Sequence, residues 1–400
     1  MTSSVLKSAN SMRIRSFSAE LTRGLGVVSA RFVQEMIVGI HRARSLHLTD
    51  IARSLGEDVA LKATIKRLSR NLAREGLTEA ISHALLECAA REVTEDMLLV
   101  VSIYDLPKRF TTRMEYARGA AASDDDGYRV LDISAIDPAS PDCYLPLLSR
   151  LWSRHAPDYQ SDTTEILAAV NQVNSATEGR CVFYYPQQAT TPGTDFLRSL
   201  VQAPNLRTML YVENHDATFM VDGHLRAVSD LASSTKLPYR RLIFKIVKPP
   251  FTRRMPGRQD NRPAELPMTE DFGKLSVEVV TGKLTTLILE RKTAEHDLTA
   301  VYDAYLATGV AVDTRDQLQA LLQNHYLAID TASAAVNHKT LFDLSDVRVL
   351  TYDRLQFLNV LLQAVTYYEA HVENTFSIRD HTVTSEPHSG FDYPVSSTSS

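Results

Sequence analysis

No proline occurs before Pro107, although the chain carries 16. A long stretch without proline leaves helices uninterrupted, and here apolar residues recur at helical spacing. Phe32, Met36, Ile37 and Ile40 form one stripe, and Ile51, Leu55, Ile65, Leu68 and Leu72 continue it. Residues 15–92 are therefore expected to be helical throughout. Thr49 and Asp50 are expected to cap a short helix Ile51–Leu55, which Gly56 ends. A second helix is expected over Val59–Arg74. On it Lys62, Lys66, Arg70 and Arg74 are four apart and share a face, with Arg67 beside them and Ile65, Leu68 and Leu72 opposite. A short helix, a glycine turn and a basic helix form the pattern of a helix-turn-helix. A solvated cationic face on a helical bundle has the same spacing.

The helical pattern stops at Glu92–Asp96. Leu98–Val101 is then a short apolar run that breaks at Ser102-Ile-Tyr-Asp105 and is followed by Pro107 and two cations. A buried strand ending in polar residues can mount chemical groups on a rigid frame. Strands follow over Tyr128–Asp137 and over Tyr144–Trp152, the latter interrupted by Pro146. A helix from Ser161 to Ala176 closes near Gly179, and a fourth strand covers Arg180–Tyr185. Three strands, a crossover helix and a fourth strand are the order of an RNase H-like α/β core.

Leu206–Val280 reads as mostly β, with strands at Thr208–Val212, Ala217–Val221, Arg241–Val247 and Ser276–Val280. The segment Tyr239–Arg258 is rich in cations, among them Arg240, Arg241, Lys245, Arg253 and Arg254, interleaved with Phe244 and Phe251. It fits a DNA channel and a solvated hairpin rim equally. Helix is expected again from Ala294 through Tyr326 and from Tyr352 to Ala370. Residues 372–400 read as a disordered tail.

A net charge of −5 means that any basic surface must come from clustering. Cys88, Cys143 and Cys181 are isolated, which excludes a disulfide framework or a CxxC metal site. No stretch approaches the roughly 18 uninterrupted apolar residues of a membrane span, and the N-terminus has no signal-peptide core. The expectation is a cytoplasmic protein without a membrane partner.

In order along the chain, Leu99–Val101, Ser102, Asp105-Leu106, Pro107-Lys108, Met114-Glu115-Tyr116 and Gly127-Tyr128 resemble the first catalytic strand of DDE-type insertion-sequence transposases of the insertion-sequence-four group. Ile65-Lys66-Arg67-Leu68 is similar to their helical DNA-binding region, and Val301-Tyr302…Tyr305-Leu306 to the segment before their last motif. The likeness runs from about residue 20 to 368. It implies an α/β fold: an RNase H-like mixed-sheet core with a β-rich insertion, preceded by an all-α N-terminal domain. The implied units are 1–92, DNA-binding helices; 93–205, first part of the core; 206–285, β-rich insertion; 286–371, C-terminal helices; and 372–400, tail. It also implies three carboxylates holding two Mg²⁺ ions about 4 Å apart for attack on a DNA phosphodiester.

The carboxylates are missing from the corresponding positions. The first is Ser102. The second, at the end of the fourth strand, is Tyr184, and no acid occurs between Glu178 and Asp195. The third, seven residues after Tyr305, is Val312. Nearby acids are Asp105, Asp313 and Asp316, with Asp132 and Asp137 on the second strand. The reading is a catalytically inactive, transposase-like protein with no cofactor, or with Mg²⁺ if a rearranged acidic site is active. The implied partner is double-stranded DNA, bound through Lys62, Lys66, Arg67, Arg70 and Arg74 and the Arg240–Arg258 segment, and a homodimer is the other partner considered. A scaffold without DNA affinity is the remaining alternative.

Overall fold

The computed structural model describes residues 3–108, 113–118, 127–186, 194–203, 205–213, 216–247, 264–280, 282–294, 297–349 and 351–378. Among these, ten α-helices surround one mixed sheet of 11 strands. No helix of the described residues is long and apolar enough to cross a membrane.

The apolar run forms β1 (Leu98–Leu106), with β2 (Tyr128–Ile136) on one side and β4 (Val182–Tyr185) on the other. β3 (Tyr144–Trp152) lies outside β2, and β5 (Thr208–Tyr211) lies beyond β4, giving the order β3-β2-β1-β4-β5. β1, β2 and β3 are antiparallel neighbours, whereas β4 and β5 run parallel to β1. Parallel neighbours require crossovers, supplied by α6 (Asp162–Ala176) before β4 and α7 (Thr194–Gln202) before β5. Ser161 caps α6, its Oγ accepting from Thr164 N at 3.0 Å. Pro146 cannot complete the ladder. The register shifts there, so that Ile133 faces Leu148 and Ser134 faces Pro146, leaving Leu147 as a bulge.

Alternate residues of β1 feed two cores, as the strand period requires. Leu99, Val101 and Ile103 join the core of the N-terminal helices, whereas Leu98 and Val100 join a second core with Leu318, Leu322 and Ala328. Those last residues belong to α9 (Arg315–Thr340), which crosses the second face. On the first side α5 (Leu77–Ala90), α6 and α10 (Tyr352–Tyr367) pack against β3. Nearly every side chain of α10 is buried, because the helix also touches α2 (Val27–Ala43) and α5.

Beyond β5 the sheet continues through β11 (Asp297–Thr308), β10 (Lys283–Ala294) and β9 (Ala264–Val280). The hairpin β6 (Thr218–Val221) and β7 (His224–Ala227) follows β9, and β8 (Tyr239–Val247) also pairs with it.

Four expectations need correction. Residues 297–308 form a strand paired with β5 and β10, not a helix. Ala-Tyr-Leu-Ala-rich sequence favours neither state strongly, and two paired neighbours decide it. The β-rich part therefore runs to Thr308 and not to 285, and helix resumes at Arg315 and continues to Thr340, past the expected end at Tyr326. At its start Thr314 and Gln317 form a reciprocal capping box. The short helix α3 begins at Leu48 with His47 at its N-cap, two to three residues before the expected Thr49/Asp50 cap. Finally, the first residues of the expected tail pack on the core. Phe376 stacks on His338 at 3.8 Å, and Ile378 N donates to Asp142 O at 2.8 Å. Residues 379–400 lie outside the described residues.

Gly309 closes β11 with φ +65°, and a Cβ there would lie 2.5 Å from Leu206 O. Gly282, φ +78°, faces open space. Gly309→Ala is expected to lower stability by about 2 kcal/mol or more, and Gly282→Ala by about 1 kcal/mol. Urea midpoints measure the difference.

Candidate functional site

β1 pairs with β2 without a register shift from Leu98 to Leu106, so Ser102 stands opposite Asp132 and Asp105 opposite Arg129. Val100 pairs with Tyr184 on β4. Ser102, two residues beyond Val100, therefore shares with Tyr184 and Asp132 the face that α9 covers. Asp105 points to the other face. There it accepts from Arg129 Nε at 3.1 Å, and Arg129 Nη1 reaches Asp162 at 2.8 Å. Burial pushes the Asp162 carboxyl up, but hydrogen bonds from Arg154 and Trp152 outweigh it and hold the group below its ordinary value.

The face beneath α9 holds a buried polar network. Lys339 Nζ donates to Asp132 Oδ1 at 2.6 Å and to Ser149 Oγ at 2.7 Å. Tyr104 OH donates to Asp132 Oδ2 at 3.0 Å, and Asn359 Nδ2 donates to Ser149 Oγ at 2.7 Å. Asp132 and Lys339 are 2% and 4% exposed, so neither charge has water to solvate it. Burial lowers the Lys339 ammonium below its ordinary value, and Asp132 opposes that fall. Tyr104 is raised well above its ordinary value by burial and by Asp132, which keeps it a hydroxyl donor.

Of the three positions that the resemblance marks, Ser102 and Tyr184 come to neighbouring strands on one face. Val312 does not join them. It precedes α9, and its carbonyl accepts from Lys274 Nζ. The α9 side chain at β4 is Asn324, whose Nδ2 lies 3.5 Å from Tyr184 OH. The alternative acids are dispersed. Asp313 is exposed 3.6 Å from Lys274, and Asp316 is exposed in the first turn of α9. Asp137 accepts from Ala139 N in the turn after β2. The donors at the three family positions and on α9 beside them are thus a hydroxyl, a phenol and an amide, with the neighbouring carboxylate, Asp132, committed to Lys339 and Tyr104. A hard divalent cation requires several anionic oxygens, so this donor set does not fit Mg²⁺. Among the described residues no group of three or more His, Cys, Asp or Glu side chains is placed to hold a metal.

The basic helix α4 (Leu61–Asn71) packs on α3 (Leu48–Leu55), and both pack on α2. Lys62, Lys66 and Arg70 are exposed. Arg74, just past the helix, is exposed and donates to Ser29 Oγ at 2.9 Å. Arg67 departs from the expected free face: it pairs with Glu35 and, at 2.7 Å, with Glu57, tying α4 to α2 and the preceding loop. In the second basic segment Arg241 is held inside by Glu270, and Arg240 pairs with Asp271 at 2.6 Å. Lys245 lies on β8, whereas Arg253 and Arg254 lie outside the described residues.

Sequence reasoning missed the partner of Arg241. Glu270, Glu290, Asp303, Lys292, Tyr305 and Tyr326 form a second network under the N-terminal half of α9. Tyr305 OH and Tyr326 OH reach Glu290 at 3.0 and 2.9 Å, and Lys292 Nζ reaches Asp303 at 2.7 Å. The signal was Ile288, Glu290 and Lys292, two apart on one strand face.

No protein-family model and no curated protein matches the chain.

Removing one member of a buried pair strands the other. Lys339→Met is expected to cost about 3–5 kcal/mol, whereas Lys339→Met combined with Asp132→Asn recovers most of that loss. Chemical denaturation of the four proteins of the cycle measures it.

Proposed function

We propose that the chain is a transposase-like DNA-binding protein of the DDE insertion-sequence type, built on an RNase H-like core whose metal-binding carboxylates have been replaced. The strand order β3-β2-β1-β4-β5, with three antiparallel strands followed by two parallel ones, supports the core. The β-rich segment between β5 and α9 supports the insertion. One observation carries the loss of chemistry. The face on which β1, β4 and α9 meet presents Ser102, Tyr184 and Asn324, while Asp132, the acid opposite Ser102, is held by Lys339.

The remaining activity in this reading is recognition of duplex DNA. Lys62, Lys66 and Arg70 project from the second helix of a helix-turn-helix-like pair, where phosphate neutralisation gives salt-dependent affinity. Arg67 serves this surface indirectly, by fixing α4 through Glu35 and Glu57. The cytoplasm and a homodimer complete the proposal.

The triple variant Lys62→Ala, Lys66→Ala, Arg70→Ala is expected to weaken binding to random duplex DNA. It is also expected to reduce the slope of log affinity against log salt by about 2 to 3, near 0.9 per lost phosphate contact. Unchanged affinity and slope would remove the DNA assignment. Arg67→Ala is expected to lower the denaturation midpoint. Strand cleavage in Mg²⁺ that Asp105→Asn abolishes would instead establish an active, rearranged site.

A further inference from the structure

On the side of the sheet where β10 starts and β11 ends lies a groove of about 770 Å³. Three segments converge on it: the chain from α7 to β5, the start of β10, and the turn after β11. Gly309 permits the close approach, since its positive φ lets the turn pass against Leu206 and Arg207 where a Cβ would collide. The groove's polar wall contains Arg207, Lys283, Asn205 and Thr308, and among the described residues no Asp or Glu lines it.

The partners of the two cations set the sign of the groove. Arg207 Nη1 donates to Arg180 O at 2.8 Å, and Lys283 Nζ donates to Val201 O. Among the described residues neither makes an ion pair with a carboxylate, unlike Arg67, Arg129, Arg241 and Lys292, each of which does. Carbonyl oxygens orient a cation without cancelling its charge, so two cations with no paired carboxylate among the described residues flank one concavity, while Glu278, opposite Leu284 on β9, accepts from Gly282 N at 3.3 Å. Leu284, 69% exposed, and Val310 give the same groove an apolar wall. Paired cations beside an apolar surface suit a ligand with an anionic group joined to an organic body, and the volume is that of a small-molecule site.

We propose that this groove binds a phosphate ester, with the phosphate held by Arg207 and Lys283 and the organic part against Leu284 and Val310. Two sources present this chemistry: a free nucleotide and the backbone of a nucleic acid. The inference does not depend on the assignment of α4 to DNA.

Calorimetric titration of the full chain with deoxyadenosine monophosphate and with inorganic pyrophosphate tests it, alongside duplex binding. Lys283→Gln and Arg207→Gln are each expected to weaken binding of the phosphate probes about tenfold or more, while Lys283→Arg retains it. The triple Lys62, Lys66 and Arg70 variant is expected to leave probe binding unchanged. Lys283 is a surface side chain, so Lys283→Gln keeps the test open if the Arg207 variant fails to fold. Tighter binding of the mononucleotide than of pyrophosphate, with duplex affinity unmoved by Lys283→Gln, assigns a free nucleotide. Duplex affinity lowered by Lys283→Gln assigns a nucleic-acid backbone. If neither probe binds and duplex affinity ignores both substitutions, the proposal is overturned. Failure of duplex binding with retained probe binding would remove only the role of α4.

Discussion

The ion pair between Asp132 and Lys339 joins β2 to a helix residue 207 positions later in sequence, and both charges are buried. Such a pair contributes little net stability compared with apolar packing, yet either charge alone would be costly. It therefore constrains the fold through geometry. α9 cannot slide along the sheet without separating the ammonium from the carboxylate, Ser149 Oγ and the ring of donors around them. Ser102 sits on the same face, opposite Asp132. In a site built for metal the carboxylates repel one another until a cation arrives. Here the chain carries its own cation, and the neighbouring donors are neutral.

α9 is fixed at two further points of its buried face in the same manner. Midway along it, Tyr326 bonds to Glu290, and His325 packs edge-on to Tyr305 with ring centroids 4.7 Å apart. Burial pulls His325 down to about 3, so it remains a neutral ring within a charged surround. Near its end, His338 lies between Tyr144 OH at 2.9 Å and Glu369 at 2.8 Å, and Glu369 also pairs with Arg44 on the C-terminal side of α2. Through Glu369 the N-terminal helices are coupled to the same helix that covers Ser102. Those helices consequently share a core with the sheet, and α10 is buried at that boundary.

Much of the first half was legible because its signals are local. Proline-free periodicity marked the helices before residue 92, an apolar run marked β1, and Ser161 marked the start of α6. The polarity of Ser102 and Tyr184 and the opposite facing of Asp105 also follow from residue identity and a period of two. The second half resisted reading where pairing, not propensity, sets the state. Asp297–Thr308 is a strand because β5 and β10 flank it, and with it Val312 loses the helical position assigned by counting from Tyr305. Ion pairs were the least legible feature. Arg67 occupies the same sequence stripe as Lys66 and Arg70, but Glu35 and Glu57 reach it from other elements. Nothing in the local sequence distinguishes a cation that holds the fold from one that faces solvent.

The central claim is that the meeting point of β1, β4 and α9 is closed by an internal ion pair and lacks the ligands for a divalent ion. Titration with paramagnetic Mn²⁺, read by residue-resolved amide NMR broadening, tests it most directly. The account predicts no saturable broadening centred on Ser102, Asp132 and Tyr184 at millimolar ion. Saturable broadening confined to those residues and competed by Mg²⁺ would contradict it.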